Sequence, residues 1–362
     1  MSKSGLRLVL LADAAHVNIQ RWCEGLSEAG ADLHVLSFRN SLSAKGQAHQ
    51  LPVPHLPGKV HYIASVPYVR RLIREIEPEV VIAYYVTGYG TLGALAGYHP
   101  LVQVTSGSDV LRAPRNPVLK RLLRYNLGRA DLVTAWAPHM ANAARELGVP
   151  EERILVLPRG IPSDHFASAR SSVPASADFI NMVSTRSLKP QYNIPLLLEA
   201  LGLLRNEGVN FRLTLAGDGP QREELMETST RLGLKDHIRF AGFVSNDELP
   251  GLLSQHNTYI SMVDSDGVSA SLLEAMAVGL MPIVPDNQAN RFWIKTGENG
   301  SLINELTPRA IAQTIRNAFF DTSLRQKAWE LNSERVRRDA DLYRNSKKFL
   351  EHFQQLARGR HN

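Results

Sequence analysis

The sequence predicts an α/β protein built from two doubly wound parallel sheets, and three observations carry that expectation. Short apolar runs of strand type alternate with amphipathic helical runs almost from end to end, as in parallel sheets covered by helices on both faces. The length of 362 residues exceeds one ordinary core and fits two domains. Between Ser168 and Asp178 the stretch "SARSSVPASAD" breaks all periodicity, and beyond it the alternation starts again. The boundary is read there. It gives a first domain over 1–167, a second over 178–345 and a C-terminal helix over 346–362 packing back on the first.

The first winding unit is "LRLVLL", then a helix in "HVNIQRWCEGLSEAG" with Ile19, Trp22, Leu26 and Ala29 at helical spacing, then the strand "ADLHVLSF". After the Pro-rich loop "LPVPHLPGK" come the strands "VVIAYY", "LVQVT", "DLVTAW" and "RILVLP", each beside a helix pattern. The second half runs through "FINMVST", the helix "NIPLLLEALGLLRNEG", and the strands "FRLTLAG", "IRFAGF", "TYISMV" and "MPIVPD". Thr307 and Pro308 open a further helix as cap and first-turn pair. In open parallel sheets ligands sit at the carboxyl ends of the strands. The loops "STRSLKP", "AGDGPQ", "GFVSND" and "VDSDGVSAS" should therefore share one crevice.

Composition narrows the class. Hydrophobic content of 44% with 21% charged residues is globular, and the single Cys23 rules out an internal disulfide and a cysteine-cluster metal site. A reducing cytoplasm is expected. The start resembles a signal peptide only superficially, because its apolar run is short and Asp13 interrupts it. The uncharged stretch from Val80 to Ser108 splits into strand, Gly-rich helix and strand, so no membrane span is expected. Charge is uneven: residues 1–176 hold 19 Lys and Arg against 13 Asp and Glu, whereas residues 177–362 hold 22 of each. Part of the surplus lies on "VPYVRRLIREIEP", with Arg70, Arg71 and Arg74, and on "NPVLKRLLRYNLGRADL", with Lys120, Arg121, Arg124 and Arg129. These are solvated helix faces or a surface for an anionic membrane or acceptor. Nucleic acid is excluded, since no aromatic interleaving or nucleic-acid motif accompanies them.

One stretch points to chemistry. "SDGVSASLLEAMAVG" sets Asp266 and Glu274 eight positions apart around small residues that run into an apolar helix, an arrangement suited to an anion near the helix's first amides.

With its companions this stretch resembles the retaining nucleotide-sugar glycosyltransferases of family 4, which have the GT-B fold of two Rossmann-like domains facing a cleft. The resemblance rests on "STRSLKPQYNIPLLLEAL", "LTLAGDGPQREEL", "IRFAGFVSNDEL", "SDGVSASLLEAMAVGLMPIV" and "TGENGSLI", and more weakly on "SDVLRAP", "ADLVTAW" and "RILVLPRGIPSDHF". It covers nearly the whole chain.

The resemblance implies that Glu274 holds the ribose hydroxyls and Asp266 the donor sugar. The amides of Val268, Ser269 and Ala270, flanked by Gly267 and Ser271, would receive the diphosphate. Arg186 matches an arginine that neutralises the diphosphate as the sugar leaves. The family's usual lysine falls on Gln191 here, and Lys189 is the nearest substitute. Gly217 and Asp218 would lie beside the nucleotide, and Phe243 and Val244 beside the base. For the acceptor the candidates are Ser108, Asp109 and His16, the last also a plausible helix cap; Ser106 stands where many relatives have a histidine. His139 reads as structural.

The implied reaction moves a sugar from a nucleoside diphosphate sugar, a UDP-sugar, to a hydroxyl of a glycan or lipid-linked glycan with retention. Neither a metal nor another cofactor is expected. The implied setting is cytoplasmic, peripheral on the inner face of the cell membrane. The alternative is a nucleotide-sugar-binding subunit that keeps the fold without turnover.

Overall fold

The computed structural model describes residues 5–39, 45–52, 60–170 and 179–359. The chain divides into two compact units: residues 1–159 with 342–362, and residues 160–341. Most of the Pro-rich loop and of "SARSSVPASAD" lies outside the described residues.

The first unit holds β1 (Arg7–Leu11), β2 (Asp32–Ser37), β3 (Gln47–Gln50), β4 (Val80–Tyr84), β5 (Leu101–Val104), β6 (Leu132–Ala135) and β7 (Ile154–Val156). They form one parallel sheet in the order β3-β2-β1-β4-β5-β6-β7. Leu8 to Leu11 and Val80 to Ala83 are fully buried, as in strands covered on both faces. That burial explains why they read as unbroken apolar runs. The edge strand β3, "QAHQ", is largely exposed and has no apolar period, so the sequence reading misses it. Winding order reverses between β1 and β4, which makes the ends of those two strands the unit's switch point.

The helix Val17–Glu28 follows β1 and buries Ile19, Trp22, Cys23 and Leu26. The helix Leu342–Gly359 packs against it where Gly25 leaves room, since a Cβ there would lie 2.3 Å from Ser346 Oγ. Trp22 meets Trp136 and Phe349 edge-on at 5.8 and 5.7 Å, and Phe349 and Phe353 are fully buried. At about 1.5–3 kcal/mol for each buried aromatic of this kind, the helix is firmly anchored.

The second unit holds β8 (Ile180–Ser184), β9 (Phe211–Leu215), β10 (Ile238–Phe240), β11 (Thr258–Ile260), β12 (Met281–Pro285) and β13 (Ser301–Ile303). Their order is β10-β9-β8-β11-β12-β13, again parallel, with the reversal between β8 and β11. The short β13 lies within "TGENGSLI", which the sequence reading does not resolve as a strand.

Residues 160–167, given to the first domain on sequence, belong to the second unit. Ile161 N–H donates to Ala340 O at 3.0 Å, Ser163 Oγ donates to Asp341 at 2.6 Å, and Phe166 is fully buried. At Gly160, a Cβ would lie 2.5 Å from Ala340 O, so only glycine fits. The crossing into the second unit therefore precedes the Ser-rich stretch. Residues 342–345 move the other way, because the terminal helix begins at Leu342 and belongs to the first unit.

Candidate functional site

In the second unit the two loops at the switch point converge on Arg186. Its guanidinium donates to Asp266 Oδ2 at 3.0 Å, to Ser269 Oγ at 2.6 Å and to Ser261 Oγ at 3.2 Å, and lies 5.4 Å from the Tyr192 ring. The side chain is only 13% exposed. Burial opposes its charge, but Tyr259, Asp266 and Tyr192 outweigh burial and hold the guanidinium above its ordinary range.

Ser269 joins three interactions. It caps the helix Ala270–Val278 by accepting from Leu272 N–H at 3.1 Å, receives the Arg186 bond, and meets Ser271 Oγ at 3.1 Å. Ser271 Oγ in turn lies 2.9 Å from the hydroxyl of the fully buried Tyr259. The helix ends in a left-handed Gly279. Glu274 is buried within it, the only acid on an otherwise apolar helix. A fixed cation, a helix N-terminus and a buried carboxylate thus share one corner.

The β9 loop is clamped onto the β8 loop. A Cβ on Gly217 would sit 2.3 Å from Arg186 O, and one on Gly219 2.4 Å from Leu188 O. Leu188 N–H donates to Asp218 O at 3.0 Å, while the exposed Asp218 carboxylate accepts from Gly219 N–H at 2.8 Å. Val268 and Val244 pack on the core; Phe243 is 82% exposed. Asp266 Oδ1 accepts from Gly267 N–H at 2.8 Å, so the carboxylate that resemblance assigns to the donor sugar is here tied to its own loop and to Arg186. Lys189 and Gln191 are exposed in and beside the turn Pro190–Tyr192. Sequence reasoning missed Ser261 and Tyr259, whose relation to Arg186 exists only once β8 and β11 are paired, and Tyr192, which the turn after β8 brings back beside Arg186.

The first unit carries a cavity of about 510 Å³ at its own switch point. His16 lines it and also caps the helix Val17–Glu28, its Nδ1 accepting from Asn18 N–H at 3.2 Å. The cap reading therefore holds, and the same residue lines the cavity. Burial pushes its pKa down, with Arg159 and Arg39 adding to the effect and Asp13 opposing it, so the ring stays neutral at pH 7.

Asp109 is a correction. It is fully buried, and its carboxylate accepts from the N–H groups of Val86, Ser106, Gly107 and Val110 at 2.9–3.2 Å. A carboxylate so enclosed has nothing left for an acceptor; it ties the Tyr85–Val86 corner to the Ser106–Gly107 loop. Ser108 is exposed and reaches the cavity only through the Tyr85 hydroxyl, 2.9 Å away, whereas Ser106 lines the cavity directly. His139 is buried in the helix Pro138–Glu146.

The chain thus consists of two doubly wound units, the second with a caged arginine at a helix N-terminus. Comparison with known proteins sharpens this. The model of the glycosyl transferases group 1 matches residues 168–334, and that of the glycosyl transferase 4-like proteins matches residues 7–136. Each half of the chain thus resembles a glycosyltransferase domain, and the two models together span most of it.

Among curated relatives, the Rhizobium meliloti lipopolysaccharide core biosynthesis glycosyltransferase LpsD is 27% identical over 274 residues, 74% of this chain and 73% of its own. WcaL of Escherichia coli, named for colanic acid biosynthesis, is 25% identical over 193 residues, covering 52% of this chain. The chain spans about half the length of the first curated relatives it matches, 47% and 56% of them.

Solved structures agree in fold. A Rickettsia africae glycosyltransferase superposes with a TM-score of 0.81 at 16% identity, covering 97% of this chain and 98% of its own. Anabaena HepE, solved with UDP and glucose, gives 0.80 at 18% identity over 97% and 100%. The architecture is that of GT-B glycosyltransferases.

Proposed function

We propose that the protein is a retaining glycosyltransferase that moves a sugar from a nucleoside diphosphate sugar, a UDP-sugar, to a hydroxyl of a glycan or lipid-linked glycan. The observation that carries this reading is Arg186, caged by Asp266 and Ser269 at the start of the helix that bears Glu274. A largely enclosed cation at a helix N-terminus is a place where an anion can bind. A diphosphate exchanges with Asp266 as its partner, freeing that carboxylate for the sugar hydroxyls, while the helix amides take the phosphate oxygens. Glu274 receives the ribose. As the sugar bond breaks, charge grows on the leaving phosphate, so a fixed guanidinium stabilises the transition state more than the ground state. HepE, solved with UDP-glucose, supports a UDP-sugar as donor.

Metal independence belongs to the same reading, because arginine and amides already supply the positive charge. Among the described residues no three His, Cys, Asp or Glu side chains are grouped to hold a metal ion. Retention follows from attack on the face the phosphate leaves, the departing oxygen taking the acceptor's proton.

A lipid-linked acceptor fits the surface of the first unit. The helix Pro117–Gly128 exposes Arg121 and Arg124 beside Val118 and Tyr125, the mixture of cation and apolar side chain that binds an anionic bilayer. No helix among the described residues is long and apolar enough to cross a membrane. The reading places the enzyme on the inner face of the cell membrane.

The direct test is a donor screen. Purified protein is incubated with UDP-, GDP- and ADP-sugars in EDTA, and thermal stabilisation and slow hydrolysis are recorded. Stabilisation by UDP-sugars, lost in Arg186→Ala, is expected; stabilisation by none of them, or activity only with manganese or magnesium, contradicts the reading.

A further inference from the structure

The guanidinium of Arg186 carries its counter-charge within its own unit. Its Nη2 donates to Asp266 Oδ2 at 3.0 Å and to Ser269 Oγ at 2.6 Å, and Ser269 is the residue that caps the helix Ala270–Val278. The nitrogen turned to the helix start is therefore the one that the carboxylate holds. An anion shared between this guanidinium and the helix amides has to meet the same nitrogen, and there it meets Asp266.

The other groups on Arg186 do not compete in this way. Ser261 Oγ accepts from Nε at 3.2 Å, and the Tyr192 ring lies 5.4 Å away, both without charge. Asp266 is also tied in place. Its second oxygen, Oδ1, accepts from Gly267 N–H at 2.8 Å, so the carboxylate stays at the corner when the arginine turns to another anion. With side chains only 13% and 25% exposed, the pair is poorly screened by water, and a like charge brought beside Asp266 is felt.

Two ligands with the same base and diphosphate treat this carboxylate differently. A UDP-sugar takes the arginine from Asp266 but brings sugar hydroxyls, which donate to the carboxylate in exchange. UDP brings none. Its terminal phosphate also carries roughly one more negative charge at neutral pH than the esterified phosphate of a UDP-sugar. That charge falls beside a carboxylate that has just lost its counter-ion. We infer that Asp266 sets the preference of the site for a nucleoside diphosphate sugar over the nucleoside diphosphate left after transfer, acting as an internal anion against which the spent nucleotide must bind. The same contact that holds the empty-handed arginine thus speeds the departure of the product. This rests on the reading that the second unit binds a nucleoside diphosphate sugar.

The test is calorimetry on the whole protein at neutral pH and fixed ionic strength. The probes are UDP, a panel of UDP-hexoses and UDP-N-acetylhexosamines, and inorganic pyrophosphate. Asp266→Asn keeps the size and the hydrogen bonds and removes the charge, at a side chain that is partly exposed. It binds UDP about tenfold tighter than wild type, the scale for relieving one like-charge contact, while affinity for the best UDP-sugar stays within about threefold. Asp266→Glu keeps the wild-type ratio of the two affinities. Ser261→Ala, which loosens the arginine without removing a charge, weakens both ligands alike.

UDP bound no tighter by Asp266→Asn, equal tightening of UDP and UDP-sugar, or a ratio lost as fully in Asp266→Glu overturns the inference. Pyrophosphate separates it from the reading beneath it. UDP-sugar bound without the gain for UDP in Asp266→Asn defeats the role of Asp266 alone. Pyrophosphate bound tighter by Asp266→Asn, with no UDP or UDP-sugar bound by any variant, supports the carboxylate as a restraint on anions and removes the nucleotide-sugar reading. Binding of no probe overturns both.

Discussion

At the end of β8 stands a largely enclosed arginine braced by a carboxylate and two serine hydroxyls, and at the end of β4, the strand that closes the first unit's reversal, stands a strained tyrosine near a more exposed arginine–carboxylate pair. The two sheets wind alike and reverse at corresponding places, β1 to β4 and β8 to β11. Topology therefore fixes where a ligand goes and says nothing of which ligand. That is decided by a few residues at the strand ends. Each unit pairs an arginine with an aspartate, but in the second the pair is largely enclosed at a helix N-terminus, whereas in the first it is more exposed and stands beside aromatic side chains.

The largest effect that sharpens this contrast is expected at Arg186. Arg186→Ala lowers turnover by about a thousandfold, the scale for removing a preorganised charge-stabilising donor. Steady-state rates of the variant check it. Turnover within tenfold of wild type breaks the assignment of the anion corner.

Glu274→Ala comes next. Loss of a charge-assisted contact worth about 1.5–3 kcal/mol raises the donor's Kd roughly tenfold to a hundredfold. Isothermal titration with UDP is the readout, and an unchanged Kd removes Glu274 from the ribose.

In the first unit the corresponding large effect is structural. Asp109→Ala orphans buried amides at both cavity loops, at about 1–3 kcal/mol each. A lower melting temperature is expected; Asp109→Asn keeps part of the stability. A variant that melts like wild type would contradict the role of Asp109 in tying the two loops together.

How much of this was legible in the sequence follows from what each feature depends on. Unbroken apolar runs such as "VVIAYY" announced their strands because both sheet faces are covered, whereas the exposed "QAHQ" carries no such signal. Arg186, Asp266 and Glu274 were readable from resemblance because they sit in ordered motifs. Their cage was not, since Tyr259 and Ser261 meet Arg186 only through strand pairing and Tyr192 only through the turn that follows β8. The role of Asp109 was misjudged for a similar reason: its partners include Val86, 23 residues away. Tyr85 was read as the last residue of a strand, and its left-handed backbone is imposed by tertiary bonds that no local pattern shows. Likewise Asp13 and Arg39 come together only where β1 and β2 end side by side.

The smallest effect is a pH dependence confined to the first unit. Since the pKa of His16 lies below its ordinary value of about 6.5, the ring is neutral above that pH, and protonation as pH falls adds a charge beside Arg39 and Arg159. The folded state resists this proton more than the unfolded chain does, so its contribution to stability is complete above the ordinary value and is lost as pH drops through the window beneath it. The melting temperature should fall over the same range and fall less in His16→Gln. An identical pH profile in the variant would assign the change to another group.

The central claim is that two like windings carry different sites, with the nucleotide at the second, and hydrogen exchange on the whole protein tests it most directly. UDP should slow exchange in residues 185–192 and 261–274 and leave residues 84–89 unchanged. UDP protection centred on residues 84–89 would contradict it.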